Sequence, residues 1–373
     1  MKIVIFGLTI SSSWGNGHAT LWRGLCRELI ALGHHVTFFE RDVPYYAHHR
    51  DYHEIVGGDL ILYHDWQQVL PLAKEHLSDA DIGMVTSYCP DGIAASDLVL
   101  SSNVHGRVFY DLDTPVTLDQ LQNGASLDYL PPQGLGDFDL VLSYTGGRAL
   151  EELKSRLHAQ RTAPLYGSVD PTVHRRGAPV ERYRADLSYL GTYAEDRQAT
   201  VERLFIEPAR RLPQRRFLIG GAQYPQTFPW TVNIYFVAHL PPEEHPAFYS
   251  SSRLTLNATR RAMAAMGYCP SGRLFEAAAC GTPILSDWWE GLDSFYEPGQ
   301  ELLIAATTAE AVEAIERSDA ELARIAHAAY ERTLDQYTAA VRAAELERLL
   351  NSLDAEPAES RSAAAALTTK GRG

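Results

Sequence analysis

Residues 257–295 read NATRRAMAAMGYCPSGRLFEAAACGTPILSDWWEGLDSF, and this stretch decides the fold. It parses as a strand end, a basic turn, a Gly/Pro-rich loop, a short Ala-rich helix at 273–279, a second strand and a loop. The loop at 267–272, with Ser271 and Gly272 at its end, runs into a helix. The first backbone N–H groups of a helix have no partners within it, so they form an anion site. Arg260, Arg261 and Arg273 add positive charge around that site. Glu276 reads as a first-turn carboxylate, where the positive helix end favours it. A nucleotide diphosphate fits the set, with its phosphates on the loop and arginines and its ribose hydroxyls on Glu276. Helix packing alone explains the alanines and a glycine stop at Gly281. It does not explain the loop, arginines and carboxylate together.

Outward from this stretch, short apolar runs alternate with helical periodicity along most of the chain. In the first half, strands are expected at 2–8, 35–40, 59–63, 82–86, 107–110, 140–143 and 163–166, with helices at 20–32 and 147–158. In the second half, strands are expected at 187–191, 216–220, 232–235, 254–257, 284–287 and 302–304, with helices at 196–210 and 244–250 and two more over 308–353. Continuous apolar strands interleaved with helices specify doubly wound parallel sheets. The polar segment 170–184, with Pro171 and Pro179, reads as a hinge. The expected plan is an α/β protein of two Rossmann-like domains facing a cleft. Residues 1–175 form the first domain and 176–335 the second. A helix at 336–353 is a candidate to cross back, and 354–373 reads as a disordered tail.

Composition bounds the function. The chain has 373 residues, 45% hydrophobic and 21% charged, with 33 Lys+Arg against 47 Asp+Glu for a net charge of −14. No basic block exists for a broad nucleic-acid surface. Cys26, Cys89, Cys269 and Cys280 lack disulfide or zinc spacing, so buried thiols in a reducing compartment are expected. The opening MKIVIFGLTI reads as a buried strand rather than a signal peptide. No apolar run is long enough for a membrane span, and the expected location is cytoplasmic.

Two further segments carry candidate chemistry. In the first loop, Gly15 and Gly17 let the backbone approach a sugar or diphosphate. The third glycine of a dinucleotide fingerprint is absent. His18 opens the following helix as a candidate general base. Asp111 and Asp113 follow a buried strand at the ligand-bearing edge of a parallel sheet; a turn cap before Pro115 is the other reading of Asp113. In the second half, Gly191 and Thr192 end a strand, and Arg197 sits in the next helix, forming a second phosphate-side loop.

The blocks FYDLDTPVTL (109–118), LSYTGG (142–147), LYGSVDP (165–171), LSYLGTY (187–193) with Asp196-Arg197, NATRRAM (257–263) and PSGRLFEAAACGTPILSD (270–287) occur in a telling order. Together they resemble the CgeB-like (spore-maturation-protein-like) glycosyltransferases of the GT-B superfamily, over about residues 1–350. The resemblance implies the GT-B fold and metal-independent transfer of a sugar from a nucleotide-sugar, a UDP-sugar first, with no cofactor. Arginines and helix N-termini would take up the leaving diphosphate charge. The acceptor is left open between glycan, lipid-linked glycan, protein, metabolite and modified DNA. In many inverting GT-B enzymes a first-loop His takes the acceptor proton and an Asp about a hundred residues later orients it, which implicates His18 with Asp111 or Asp113. Retaining relatives often carry two glutamates eight positions apart. Here Glu276 matches the second, but the first position is Tyr268, so the stereochemical outcome stays open. The spacing Asp111-x-Asp113 also occurs in metal-binding GT-A transferases, whose domain plan differs. Alternatives are a sugar-nucleotide 2-epimerase-like enzyme and an inactive GT-B module that binds a nucleotide or partner. A pyridoxal-phosphate phosphorylase is excluded, since no lysine lies between Lys154 and Lys370.

Overall fold

The computed structural model describes residues 1–353; the tail read at 354–373 lies outside the described residues. The first sheet comprises β1 Lys2–Gly7, β2 His35–Arg41, β3 Asp59–Tyr63, β4 Ile82–Thr86, β5 Gly106–Asp111, β6 Leu140–Ser143 and β7 Thr162–Pro164. Their order is β3-β2-β1-β4-β5-β6-β7, with every pair parallel. The second comprises β8 Leu187–Leu190, β9 Phe217–Gly221, β10 Ile234–Ala238, β11 Thr255–Asn257, β12 Ile284–Ser286 and β13 Leu303–Ile304. It runs β10-β9-β8-β11-β12-β13, also all parallel.

The period-two alternation of strand side chains explains why these runs are apolar throughout. In β1, Val4 and Phe6 enter the core on one face with Phe39 and Phe109. Ile3 and Ile5 enter the opposite core with Phe38, Met84 and Tyr110. Each sheet reverses its order once, between β1 and β4 and between β8 and β11. Loops leaving the carboxyl ends of strands at such a reversal diverge and leave a crevice. Both crevices face the same interdomain space.

Three elements differ from the sequence reading. The helix expected at 196–210 contains a π-helical segment, Glu202–Ile206, between Glu195–Val201 and Glu207–Arg211. The expected basic turn is a short helix, Arg261–Met266. After β13 there are three helices rather than two: Thr308–Glu316, Asp319–Gln336 and Ala339–Asn351. Ser318 and Thr338 accept from the backbone N–H groups of Glu321 and Val341 and so restart the helix each time.

The last of these helices packs on the first domain. Ala343, Leu346, Leu350 and Leu353 join Leu25 and Leu29 of helix His18–Ala31 in one core. Arg161 Nη2 donates to Ser352 Oγ at 2.6 Å. The two chain passages between the domains also touch. Val169 N donates to Tyr337 O at 2.9 Å, and Ala339 N donates to Val169 O at 2.8 Å. Among the described residues, no helix is long and apolar enough to cross a membrane. All four cysteines are free and buried.

Candidate functional site

A cavity of about 510 Å³ lies between the two domains, lined by loops from the carboxyl ends of both sheets. That is the size range of small-ligand sites.

On the second-domain side, Ser271 caps helix Gly272–Ala279, its Oγ accepting from Arg273 N at 3.4 Å. This cap corrects the first-turn placement of Glu276. With the helix starting at Gly272, Glu276 lies beyond the first turn. Its carboxylate accepts no hydrogen bond among the described residues. Its side chain is 16% exposed, lines the cavity, and has His174 Nε2 3.8 Å away. Arg273 is held in place: Nε donates to Leu190 O at 2.5 Å and Nη1 to Asn257 Oδ1 at 2.9 Å. Its guanidinium lies 5.1 Å from the centre of the Tyr189 ring. Gly191 permits this approach, since a Cβ there would stand 2.9 Å from Arg273 Nη2. Thr192, Arg197 and Arg260 also line the cavity. Arg260 Nε pairs with Asp196 Oδ2 at 2.8 Å, and Arg197 Nη1 reaches Tyr189 Oη at 3.4 Å. Arg261 does not join them; it opens the short helix, exposed and outside the cavity lining.

On the first-domain side, the loop after β1 is pinned from beneath by Glu40 of β2, which is 1% exposed. The Glu40 carboxylate accepts from Thr9 Oγ1 (2.7 Å), Ser11 Oγ (2.5 Å), Ile10 N (2.8 Å) and Ser11 N (3.0 Å). Gly15, at φ +60°, sits where a Cβ would meet the Tyr45 hydroxyl at 2.9 Å. Gly17 precedes the helix that His18 opens, and Gly15, Gly17 and His18 all line the cavity. The His18 ring faces Tyr88 at 6.2 Å. Tyr88, at φ +65° in the left-handed region that L-residues rarely adopt, donates its hydroxyl to Asp113 Oδ2 at 2.8 Å.

The two aspartates separate. Asp113 lines the cavity and takes the N-cap position of helix Thr114–Gln122, but its side chain makes no cap bond. Asp111 is fully buried outside the cavity lining, its Oδ1 accepting from Asp113 N and Thr117 Oγ1, both at 3.1 Å. Its Oδ2 has no partner, and burial pushes the acid up to about 6. No hydrogen bond joins the His18 ring to either aspartate among the described residues; Tyr88 contacts both His18 and Asp113. The His18–Asp pairing expected from the sequence is therefore not formed.

Tyr268 stands apart from the cavity. At φ +46° its N donates to Glu290 O (2.7 Å), and its O accepts from Gly146 N (3.0 Å). Its ring packs against Gly147 of the first domain and Gly291 of the second. Sequence reasoning missed Glu40, Tyr88 and His174. For Tyr88 a signal existed, since it lies in the loop just past the end of β4 at the sheet reversal. His174, His245 and Glu276 bring ligand atoms within 4.8 Å of one another, the only such metal-competent group among the described residues.

The architecture is the GT-B fold, two Rossmann-like parallel-sheet domains around a cleft. Residues 197–366, just under half of the chain, match the family model described as glycosyl transferase-like. No curated protein matches the chain in sequence. Similar solved structures include sucrose-phosphate synthase from Thermosynechococcus elongatus (16% identity, 95% of this chain and 99% of that one, TM-score 0.66). Anabaena HepE in complex with UDP-glucose aligns at 13% identity over 94% of this chain and 100% of that one, TM-score 0.65. An alpha-glucosyltransferase in complex with UDP-glucose and DNA containing an abasic site aligns at 13% over 94% and 99%, TM-score 0.66. At these identities the likeness speaks to the fold.

Proposed function

We propose that the protein is a glycosyltransferase that moves a sugar from a UDP-sugar to an acceptor hydroxyl in the interdomain cleft. The observation that carries this reading is Glu276: a carboxylate without an internal hydrogen-bond donor, open to the cavity just beyond the capped helix start. Ribose hydroxyls are the donors it lacks. The N–H groups at the helix start, Arg273 and Arg260 supply the charge for the diphosphate. The bound UDP-glucose of two fold relatives supports the same class of substrate, and the family-model match supports the activity.

Asp113 is the residue we assign as base. Its carboxylate takes the proton of the acceptor hydroxyl as that oxygen bonds to the anomeric carbon. The bond from that carbon to the diphosphate breaks, and UDP departs with the electron pair. Arg260, Arg273 and the helix N-terminus stabilise the charge gathering on the diphosphate, as fixed dipoles and cations do in a dry site. Displacement from the face opposite the leaving group inverts the anomeric centre.

Calorimetric titration with UDP, GDP and ADP tests the reading. UDP binding that weakens at least roughly tenfold in Glu276→Ala is the expected result, on the order of a lost hydrogen bond to a charged group. Absence of binding by any nucleoside diphosphate would overturn it. Enzymatic release of UDP from UDP-glucose across acceptor panels then identifies the acceptor, and NMR of the product gives its anomeric configuration.

A further inference from the structure

His174 lies on the segment that joins the two domains. Its N donates to Asp170 O at 2.8 Å, and the Asp170 carboxylate pairs with Arg27 of the helix that carries His18. The His174 side chain is 2% exposed and points into the second domain, beneath Glu276. Its Nε2 is 3.0 Å from His245 Nδ1, and His245 Nε2 is 3.2 Å from Leu240 O. A carbonyl can only accept, so His245 carries its proton on Nε2 and presents the Nδ1 lone pair to His174. His174 therefore donates from Nε2. Burial pushes both rings down to about 4, which keeps them neutral at physiological pH. The same Nε2–H faces Glu276 Oε1 at 3.8 Å. That one proton already serves His245 Nδ1, and a shift of under about 1 Å brings Glu276 Oε1 within reach as its second acceptor in a three-centre bond.

We propose that His174 is a positioning residue for the nucleotide: its Nε2–H, fixed on that nitrogen by the Leu240–His245 relay and shared between His245 Nδ1 and Glu276 Oε1, orients the Glu276 carboxylate toward the ribose. The inference rests on Glu276 as the ribose acceptor. It adds that the ribose contact is tied to the interdomain segment. The three side chains are also a donor set for a transition metal. Ligation through Nε2 would put the His174 proton on Nδ1, which is buried without a partner. Metal-bound histidines nearly always give that second N–H an acceptor. The geometry points to positioning.

UDP and inorganic pyrophosphate titrations in EDTA separate the outcomes, since pyrophosphate uses only the phosphate half of the site. His174→Phe, with a melting curve to check its fold, should weaken UDP by roughly five- to tenfold, the scale of one hydrogen bond. Pyrophosphate affinity should stay at the wild-type value. His174→Gln, which returns an N–H donor, should recover most of the loss. His174→Asn, smaller and with a donor too short to reach Glu276, should behave like Phe. Unchanged UDP affinity in His174→Phe overturns the proposal, as does a parallel loss of pyrophosphate affinity, which would mark a purely structural role. Stoichiometric zinc binding that His174→Phe abolishes, with UDP affinity lost in EDTA, also overturns it in favour of a metal site. Glu276→Ala is the control. If that variant binds UDP normally, the ribose reading itself fails. If it loses UDP affinity while His174→Phe keeps it, only the role of His174 fails.

Discussion

The two walls of the cleft are built by different means. On the second-domain wall, Arg260, Ser271, Gly272, Arg273 and Glu276 lie within one strand–helix–loop–helix stretch, joined by Gly191, Thr192 and Arg197 after β8. Arg273 is locked to Leu190 O and Asn257, so the wall is preorganised for a fixed shape. The first-domain wall is gathered from separate strand ends. It includes the loop after β1, Tyr88 after β4, Asp113 after β5 and Tyr144 after β6. Its ordering agents, Glu40 and Asp111, are buried acids that do not line the cavity. A ligand group of invariant chemistry is held by a compact motif. On the proposed reading, the acceptor faces a surface assembled from loops that can change one at a time.

The largest effect expected across this divide belongs to Asp113. Asp113→Asn should lower turnover by roughly 10²- to 10⁴-fold and leave UDP affinity unchanged, as read by UDP release and by calorimetry. A loss of nucleotide binding would break the separation of the walls. Glu276→Ala should do the reverse, weakening UDP by roughly ten- to a hundredfold, the scale of hydrogen bonds to a charged group.

Asp111 sharpens the contrast through stability. Its acid is raised from an ordinary 3.8 to about 6 by burial. The folded state then holds the proton more tightly than the unfolded chain does. The resulting stabilisation is complete below about 3.8 and is lost as pH rises through about 6. Asp111→Asn, which keeps an acceptor for Asp113 N and Thr117 Oγ1, has no such loss. Its stability relative to wild type should therefore grow between pH 4 and pH 7, by up to about 3 kcal/mol, measured by denaturant unfolding at each pH. The smallest effect is expected from Arg261→Ala. It should leave UDP affinity within about twofold of wild type, because an exposed charge outside the cavity contributes little, whereas Arg260→Ala should weaken UDP measurably in the same titration.

The doubly wound sheets were legible because buried parallel strands announce themselves as apolar runs. β1, β2 and β4 lie within one residue of the spans read from sequence. The loop ending at Ser271 and Gly272 was legible as part of the cleft because its motif is contiguous. What escaped was whatever depends on side-chain direction. The alternation Asp111-Leu112-Asp113 does not say which acid enters the cavity, and the N-cap turn at Asp113 decides it. Arg260 and Arg261 are adjacent in sequence, but a helix starts between them and sends one into the cleft and the other to solvent. His174 reads as one more polar residue of a hinge. Only the fold brings it under Glu276, a hundred residues further along the chain.

The helix Ala339–Asn351 has a consequence for the order of assembly. Its side chains complete a core whose other members lie mostly before residue 166. Domains usually fold as units while the chain is being synthesised, the earlier one first. Here the earlier unit must wait, with the face of helix His18–Ala31 uncovered, until the whole later unit has been made. A chain halted at residue 337, which keeps Tyr337 in the second-domain core, should accordingly bind a hydrophobic dye through its first half while its second half is already packed, and the separately added peptide 338–353 should suppress that signal.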